Sequence, residues 1–313
     1  MTKTTAMSRL RARWIACGLA LFTIAFAPLA LASQVTFAAP EDAASSLVQA
    51  VKSGDRGAVI AILGTDSEPW LSSGDPVADR DVVQRFVTSY EQKHSILADG
   101  ERRVTLLIGD ADWPFAFPLV KSGERWRFDS AAGKREMLAR RIGTNELSVI
   151  NVMLAIVDAQ RDYAAADHTR DGVREYARRF ESTAGTRDGL YWPTATNEPP
   201  SPLGPMVKTA SAEGYRKTEA PTPYHGYLFR MLTGQTKNAK GGALDYIVKG
   251  HMIGGFAAVA YPAQYGNSGI MTFIVNHDGT VYQKDLGTKT AELARALTRF
   301  DPAPGWTVVP TAP

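Results

Sequence analysis

The chain has 313 residues, 44% of them apolar and 21% charged, which excludes a disordered or low-complexity polypeptide and leaves material for two cores. Four of the 35 basic residues, Lys3, Arg9, Arg11 and Arg13, lie in the first 32 positions; beyond them 31 basic residues face 32 acidic ones, so the formal charge of +3 gives no argument for nucleic acid or anionic lipid as a partner. The one cysteine, Cys17, falls in the same segment, so residues 33–313 carry no disulfide and no thiolate metal site.

Residues 1–32 have the order of a secretory signal peptide. A basic start is followed by the apolar run 15–26, Pro28, and the small-x-small boundary Ala30-Leu31-Ala32. The run is short for a bilayer span. Cys17 follows Trp14-Ile15-Ala16, a poor setting for a lipid anchor. The expected location is periplasmic or secreted, with cleavage after Ala32 and no membrane span once the leader is gone.

From Phe37 the pattern is helical. Pro40, Glu41 and Asp42 suit a first turn, Ala44, Leu47, Val48 and Val51 share a face, and Gly54 stops the helix. Asp55 caps a second helix bearing Val59, Ile60 and Leu63, and Asp79 is expected to cap a third with Val83, Phe86, Val87 and Tyr90 inward. The period then becomes two. Val104, Leu106 and Ile108 form one strand, Phe115, Phe117 and Leu119 a second between Pro114 and Pro118, and Trp126 and Phe128 a third. Helices followed by a short antiparallel meander predict an α+β unit over 37–133.

The stretch 134–166 reads as a long helix interrupted near Gly143, with Leu147, Ile150, Leu154 and Val157 on its buried side. Asp171 is expected to cap a further helix carrying Val173, Tyr176, Ala177 and Phe180. Prolines dominate 193–223, an extended loop with one short helix near 207–214. The remainder alternates: Tyr227, Phe229 and Met231, then 246–248, 257–261, 270–275 and 281–285, with Asn276-His277-Asp278-Gly279 as a hairpin turn and a last helix around Leu293, Ala294 and Leu297. The second unit, 134–313, is thus a helix with an antiparallel sheet.

Motifs for chemistry are sparse. Asp167, Thr169, Asp171, Gly172 and Glu175 have calcium-loop spacing, but Arg178 stands where a bidentate Glu is required, so the turn is read as a cap. Ser268 lacks the glycine two residues on that a nucleophile elbow needs, because Ile270 is there. Of His94, His168, His225, His251 and His277, no two are spaced i, i+4, although the strands bearing His225 and His251 are candidates to be neighbours. No catalytic residue, metal ligand or cofactor is assigned. Trp113 and Trp126, with Phe115 and Phe117 nearby, are the candidate ligand-binding residues, as liners of a cavity between helices and sheet.

Three resemblances rest on longer strings. The opening PEDAASSLVQAVKSGDRGAVIAIL and the later strands resemble the cone-shaped nuclear-transport-factor-2-like superfamily over 39–129. WLSSGDPVADR, DWPFAFPLVKSGERWRFDSAAGKREMLARRIGTNEL, RDGLYWP, PPSPLGP, PYHGYLFRMLTGQ and YGNSGIMTFIVNHDGTVYQKDLG resemble domain-of-unknown-function family 2950 of secreted bacterial proteins, which implies export and assigns no activity. AIVDAQRDYA, EYARRF and SGIMTFIVNHDGTVYQ are similar to the heads of type IV pilins and pseudopilins, though the helix lies mid-chain without a pilin's N-terminal spine. The expected function is that of a non-catalytic binding or envelope-accessory protein, with a protein or small molecule as partner and no nucleic acid. The alternative is a small-molecule binder or hydrolase using a cavity in the N-terminal domain. Intact-mass analysis of the exported protein is expected to show loss of residues 1–32, leaving Ser33 at the N-terminus; a retained leader would refute export by this route.

Overall fold

The computed structural model describes residues 34–216 and 222–310. The expected leader lies outside the described residues. Helix α1 (Pro40–Lys52) begins on Pro40 with Glu41 and Asp42 in its first turn, and it buries Ala43, Ala44, Leu47, Val48 and Ala50. The Asp55 side chain accepts from Ala58 N at 2.9 Å and starts α2 (Arg56–Leu63). A single turn, α3 (Glu68–Leu71), carries the buried Trp70.

Helix α4 (Pro76–Gln92) corrects one expectation. Its cap is Asp75, whose carboxylate accepts from Val77 N and Ala78 N, because Pro76 takes the first helical position. Asp79 sits inside the first turn and reaches back to Ser73 N. Val83, expected inward, is exposed, and Phe86, Val87 and Tyr90 are half-buried.

The first sheet comprises β1 (His94–Ala98), β2 (Arg103–Ile108), β3 (Trp113–Pro114), β4 (Leu119–Ser122) and β5 (Arg125–Phe128). It is antiparallel in the order β1-β2-β4-β5, with β3 also on β2. The strand expected through Phe115 and Phe117 is broken into β3 and β4, since Pro114 and Pro118 remove ladder donors. The intervening turn sends both rings inward. Phe115 packs on Phe86 (4.9 Å) and Phe117 (5.5 Å), and Phe117 stacks on Trp70 (5.6 Å). Rings fill the space between these helices and the sheet.

Helix α5 (Ser130–Ala164) is continuous through Gly143, contrary to the expected break. Packing at both ends outweighs the roughly 1 kcal/mol helical cost of one glycine. Near its start, Gly133 lies so close to Phe117 that a Cβ would come within 2.0 Å of the ring. Met137 and Leu138 join the N-terminal core; Val149, Val152, Met153, Ile156, Val157 and Tyr163 join the C-terminal one. The expected stripe is therefore rotated: Leu147 is 68% exposed, and Met153 is fully buried. Polar residues on the buried face hid the true register. Gln160 is one, bonding both backbone groups of Ala177 at 2.8 and 2.9 Å. By length and composition α5 could cross a membrane; here its apolar residues pack two protein cores.

Residues 171–180 are not the expected helix. They run extended, with Tyr176 N donating to Met252 O and Ala177 bonded to Gln160, so the backbone is satisfied without helical turns. Helix α6 (Gly204–Glu213) is the short helix of the proline-rich segment. Then come β6 (Tyr227–Leu232), β7 (Gly234–Gln235), β8 (Leu244–Asp245), β9 (Ile247–Val248), β10 (His251–Met252), β11 (Ala257–Pro262), β12 (Met271–Asn276), β13 (Tyr282–Asp285), α7 (Thr290–Ala296) and β14 (Thr307–Val308). The main antiparallel sheet runs β14-β13-β12-β11-β6, while β7 pairs β8 and β9 pairs β10. Helix α5 packs on β11 and β12, α7 packs on β11, and all of β11 is buried. The architecture is α+β.

The described residues belong to one compact unit, and polar groups tie its two cores. Besides capping α4, the fully buried Asp75 accepts from the Tyr215 hydroxyl (2.7 Å) and from Gly226 N (3.1 Å) ahead of β6. Asn145 donates to Ser268 O, Asn267 to Ser72 O, and Glu146 Oε1 accepts from Ile270 N and Met271 N, both at 2.9 Å. Met153→Ala is expected to cost about 2–5 kcal/mol in urea unfolding, and Leu147→Ala to stay within about 0.5 kcal/mol. Equal costs would contradict the register described.

Candidate functional site

The two tryptophans singled out in the sequence lie apart. Trp113 pairs with Ile108 at one end of β2, is 58% exposed, and has the Arg140 guanidinium 5.2 Å over its ring. Trp126 lies on β5, half-buried against the N-terminal core, with its backbone paired to Phe37. A surface cleft of about 460 Å³ opens between the first sheet and α5, bordered by Arg103, Thr105, Phe115, Arg135 and Glu136. Neither indole lines it.

A second cleft, of about 450 Å³, lies at the far end of α5 under the proline-rich segment. Asp162 and Ala166 come from the helix end, His168 from the following turn, Arg187 and Trp192 from the extended chain, and Glu198, Pro199, Pro200 and Pro202 from the loop. The prolines suit this loop because they fix φ without needing ladder partners. His168 packs against Tyr163 (4.5 Å) and Trp192 (5.1 Å), and the Arg187 guanidinium lies 5.4 Å over the Trp192 ring. The Tyr163 hydroxyl donates to Arg187 O at 2.7 Å, which fixes the loop on the helix. Burial first, then the Glu175 and Asp188 carboxylates, pushes that phenol up to about 12. Burial, followed by Arg187, lowers the His168 pKa and favours its neutral ring. The cleft thus has an aromatic wall of His168 and Trp192, an Arg187–Glu198 ion pair at 3.6 Å, and the Asp162 carboxylate beside them.

A third cluster joins Asp171, Glu175 and His251, with one potential ligand atom from each and all within 4.8 Å of one another. His251 Nδ1 lies 3.8 Å from Asp171 Oδ2 and 3.7 Å from Glu175 Oε1. The turn Lys249-Gly250, with φ of 51° and 88°, presents His251 at the start of β10. The Asp167 carboxylate meanwhile accepts from Arg170 N and Gly172 N and closes its own turn. His225 sits elsewhere, against Tyr215 and Tyr224; burial lowers its pKa. No contact joins it to His251 among the described residues. Ser268 is fully buried and bonded to Gln264 in the turn before β12.

Sequence reasoning missed the cleft of Asp162, His168, Arg187 and Glu198 because its members come from a helix end and separate stretches of irregular chain with no fixed spacing. Asp171 and Glu175 were visible as part of a spaced set. Their partner His251 lies in a distant hairpin that no local pattern links to them.

A family model described as protein of unknown function (DUF2950) matches residues 34–309. The chain belongs to the DUF2950 family. No curated protein and no solved structure matches it. The strings that carried the resemblance supply much of the DUF2950 chain's inter-core junction: Ser72 and Asp75 from the first, Asn145 and Glu146 from the second, Gly226 and Tyr227 from the fifth, Asn267 and Ser268 from the last.

The depressed His168 pKa fixes the sign of a pH effect. The fold favours the neutral ring, while the unfolded chain takes up a proton near its ordinary value of about 6.5. The stabilisation is present above that value and is lost as pH falls toward the lower folded pKa. Urea unfolding between pH 7.5 and 5 is expected to show falling stability. His168→Phe, which keeps a neutral ring in the stack, should flatten the slope and leave the share due to His225. Coincident slopes would exclude the assignment.

Proposed function

We propose that the protein is an exported, non-catalytic binding protein of the cell envelope that holds a small amphipathic ligand in the cleft of His168, Arg187, Trp192 and Glu198. The observation that carries this reading is the cleft itself. Its volume of about 450 Å³ falls within the ordinary range for small-molecule sites, roughly 300–1,000 Å³, and an aromatic wall meets a few convergent charges. Export is supported by the leader pattern of residues 1–32 and the near-neutral balance of the rest. Packing of α5 on β11 and β12 supports a pilin-head-like C-terminal part. The mid-chain position of that helix, shared with the N-terminal core, favours an accessory protein over a fibre subunit.

One observation favours a second reading, a small-molecule binder or hydrolase using the N-terminal part. The other cleft brings Arg103 and Arg135 beside Glu136, a setting for an anionic ligand.

A thermal-shift screen of small metabolites separates the two, because a ligand that binds the native state raises its melting temperature. A hit should lose its shift in Arg187→Ala and keep it in Arg135→Ala. The reverse pattern supports the N-terminal cleft, and conversion of the hit to product over time would refute the non-catalytic reading.

A further inference from the structure

We propose that Asp171, Glu175 and His251 bind a divalent transition-metal ion, with Zn²⁺ as the representative probe. This departs from the expectation of no metal ligand drawn from the sequence, and it does not depend on the cleft under the proline-rich segment.

Three observations carry it. The first is the donor set. One imidazole nitrogen and two carboxylate oxygens converge from separate parts of the chain, a mixed N/O set that suits zinc and its neighbours better than calcium, which prefers six to eight oxygens. The second is an unmet demand. His251 Nδ1 is buried and has no hydrogen-bond partner. The carboxylate oxygens at 3.7 and 3.8 Å are beyond hydrogen-bond length. Glu175 is only 7% exposed, and one hydrogen bond, from Met252 N, reaches its Oε2. An ion between the three groups would satisfy the buried imidazole nitrogen and set a positive charge against the buried carboxylate.

The third is the fit. Bonds of about 2.0–2.2 Å place neighbouring ligand atoms on a tetrahedral ion roughly 3.3–3.6 Å apart. The two spacings from His251, 3.7 and 3.8 Å, need to close by only a few tenths of an ångström, and the two carboxylates lie within 4.8 Å of each other. Both carboxylates are already held in place: Met252 N donates to Glu175 Oε2 at 2.7 Å, Val173 N to Asp171 Oδ1 at 3.0 Å, and the Thr169 hydroxyl to Asp171 Oδ2 at 2.9 Å. Three protein ligands leave a position for water.

The test is calorimetric titration of the purified, tag-free, metal-stripped protein with ZnCl₂ at pH 7.5, with CaCl₂ in a parallel arm. Expected are one Zn²⁺ per chain with a micromolar or tighter Kd, no comparable calcium binding, and a melting temperature that rises with Zn²⁺ and falls again with chelator. His251→Ala should weaken binding at least tenfold. Because Glu175→Gln risks the fold, the half-exposed Asp171→Asn provides the second variant; it should keep the circular dichroism of the parent and also lose at least tenfold. Co²⁺ loaded in place of Zn²⁺ should give visible absorption that vanishes in His251→Ala. No Zn²⁺ binding up to millimolar concentration, or binding unchanged by both variants, would overturn the proposal and leave the three groups as a structural cluster only.

Discussion

The structure depends on one helix serving two cores. The 35 residues of α5 place Met137 and Leu138 among the rings of the N-terminal core and Val149–Tyr163 against the C-terminal sheet. A helix in that position cannot present a single apolar stripe, because the two cores draw on different faces and the stretch between them meets a turn. Polar side chains fill that stretch. Asn145 and Glu146 bond the turn before β12, and Arg141 donates to Trp70 O and to the Asn267 side chain. Burial lowers the Arg141 pKa while Asp79 opposes that shift, as expected where a charge is kept inside only because its donors are used.

This division of labour explains what the sequence revealed and what it hid. The α+β class, α1 and α2 with their first-turn signals, β2, β6, β11, β12 and the Asp278-Gly279 hairpin are legible because each is decided locally, by period and by turn chemistry. The face of α5 is decided by its neighbours, and Gln160 and Glu146 are polar residues on a buried surface, so periodicity placed the stripe on Leu147 when Met153 is the buried residue. The extended course of residues 171–180 has the same origin. Its hydrogen bonds go to β10 and to Gln160, partners that no window of sequence contains. The candidate sites were less legible still, because each is assembled from segments whose only relation is spatial.

Both groupings at the C-terminal end of α5 draw most of their members from the irregular chain that follows the helix. Tyr163 lies between them: its ring packs on His168 and Trp192, and the charge of the Glu175 carboxylate helps raise its pKa. The prolines of the loop and the hydrogen bond from Tyr163 to Arg187 give that chain a fixed shape without a sheet of its own. Side chains on such a segment can be held as firmly as on a strand, and without thiols in residues 33–313 no cross-link does this for them.

Asp75 holds partners at two very different ranges. Its Oδ1 caps residues two and three places on, a bond available as soon as α4 forms. Its Oδ2 waits for Tyr215 and Gly226, 140 and 151 residues downstream. During synthesis, which delivers the N-terminal half first, the same carboxylate therefore closes a helix early and the molecule late. Until the later segment arrives, water must occupy the second oxygen. Replacing that water by a phenol and a backbone amide ties the end of α4 to the chain ahead of β6.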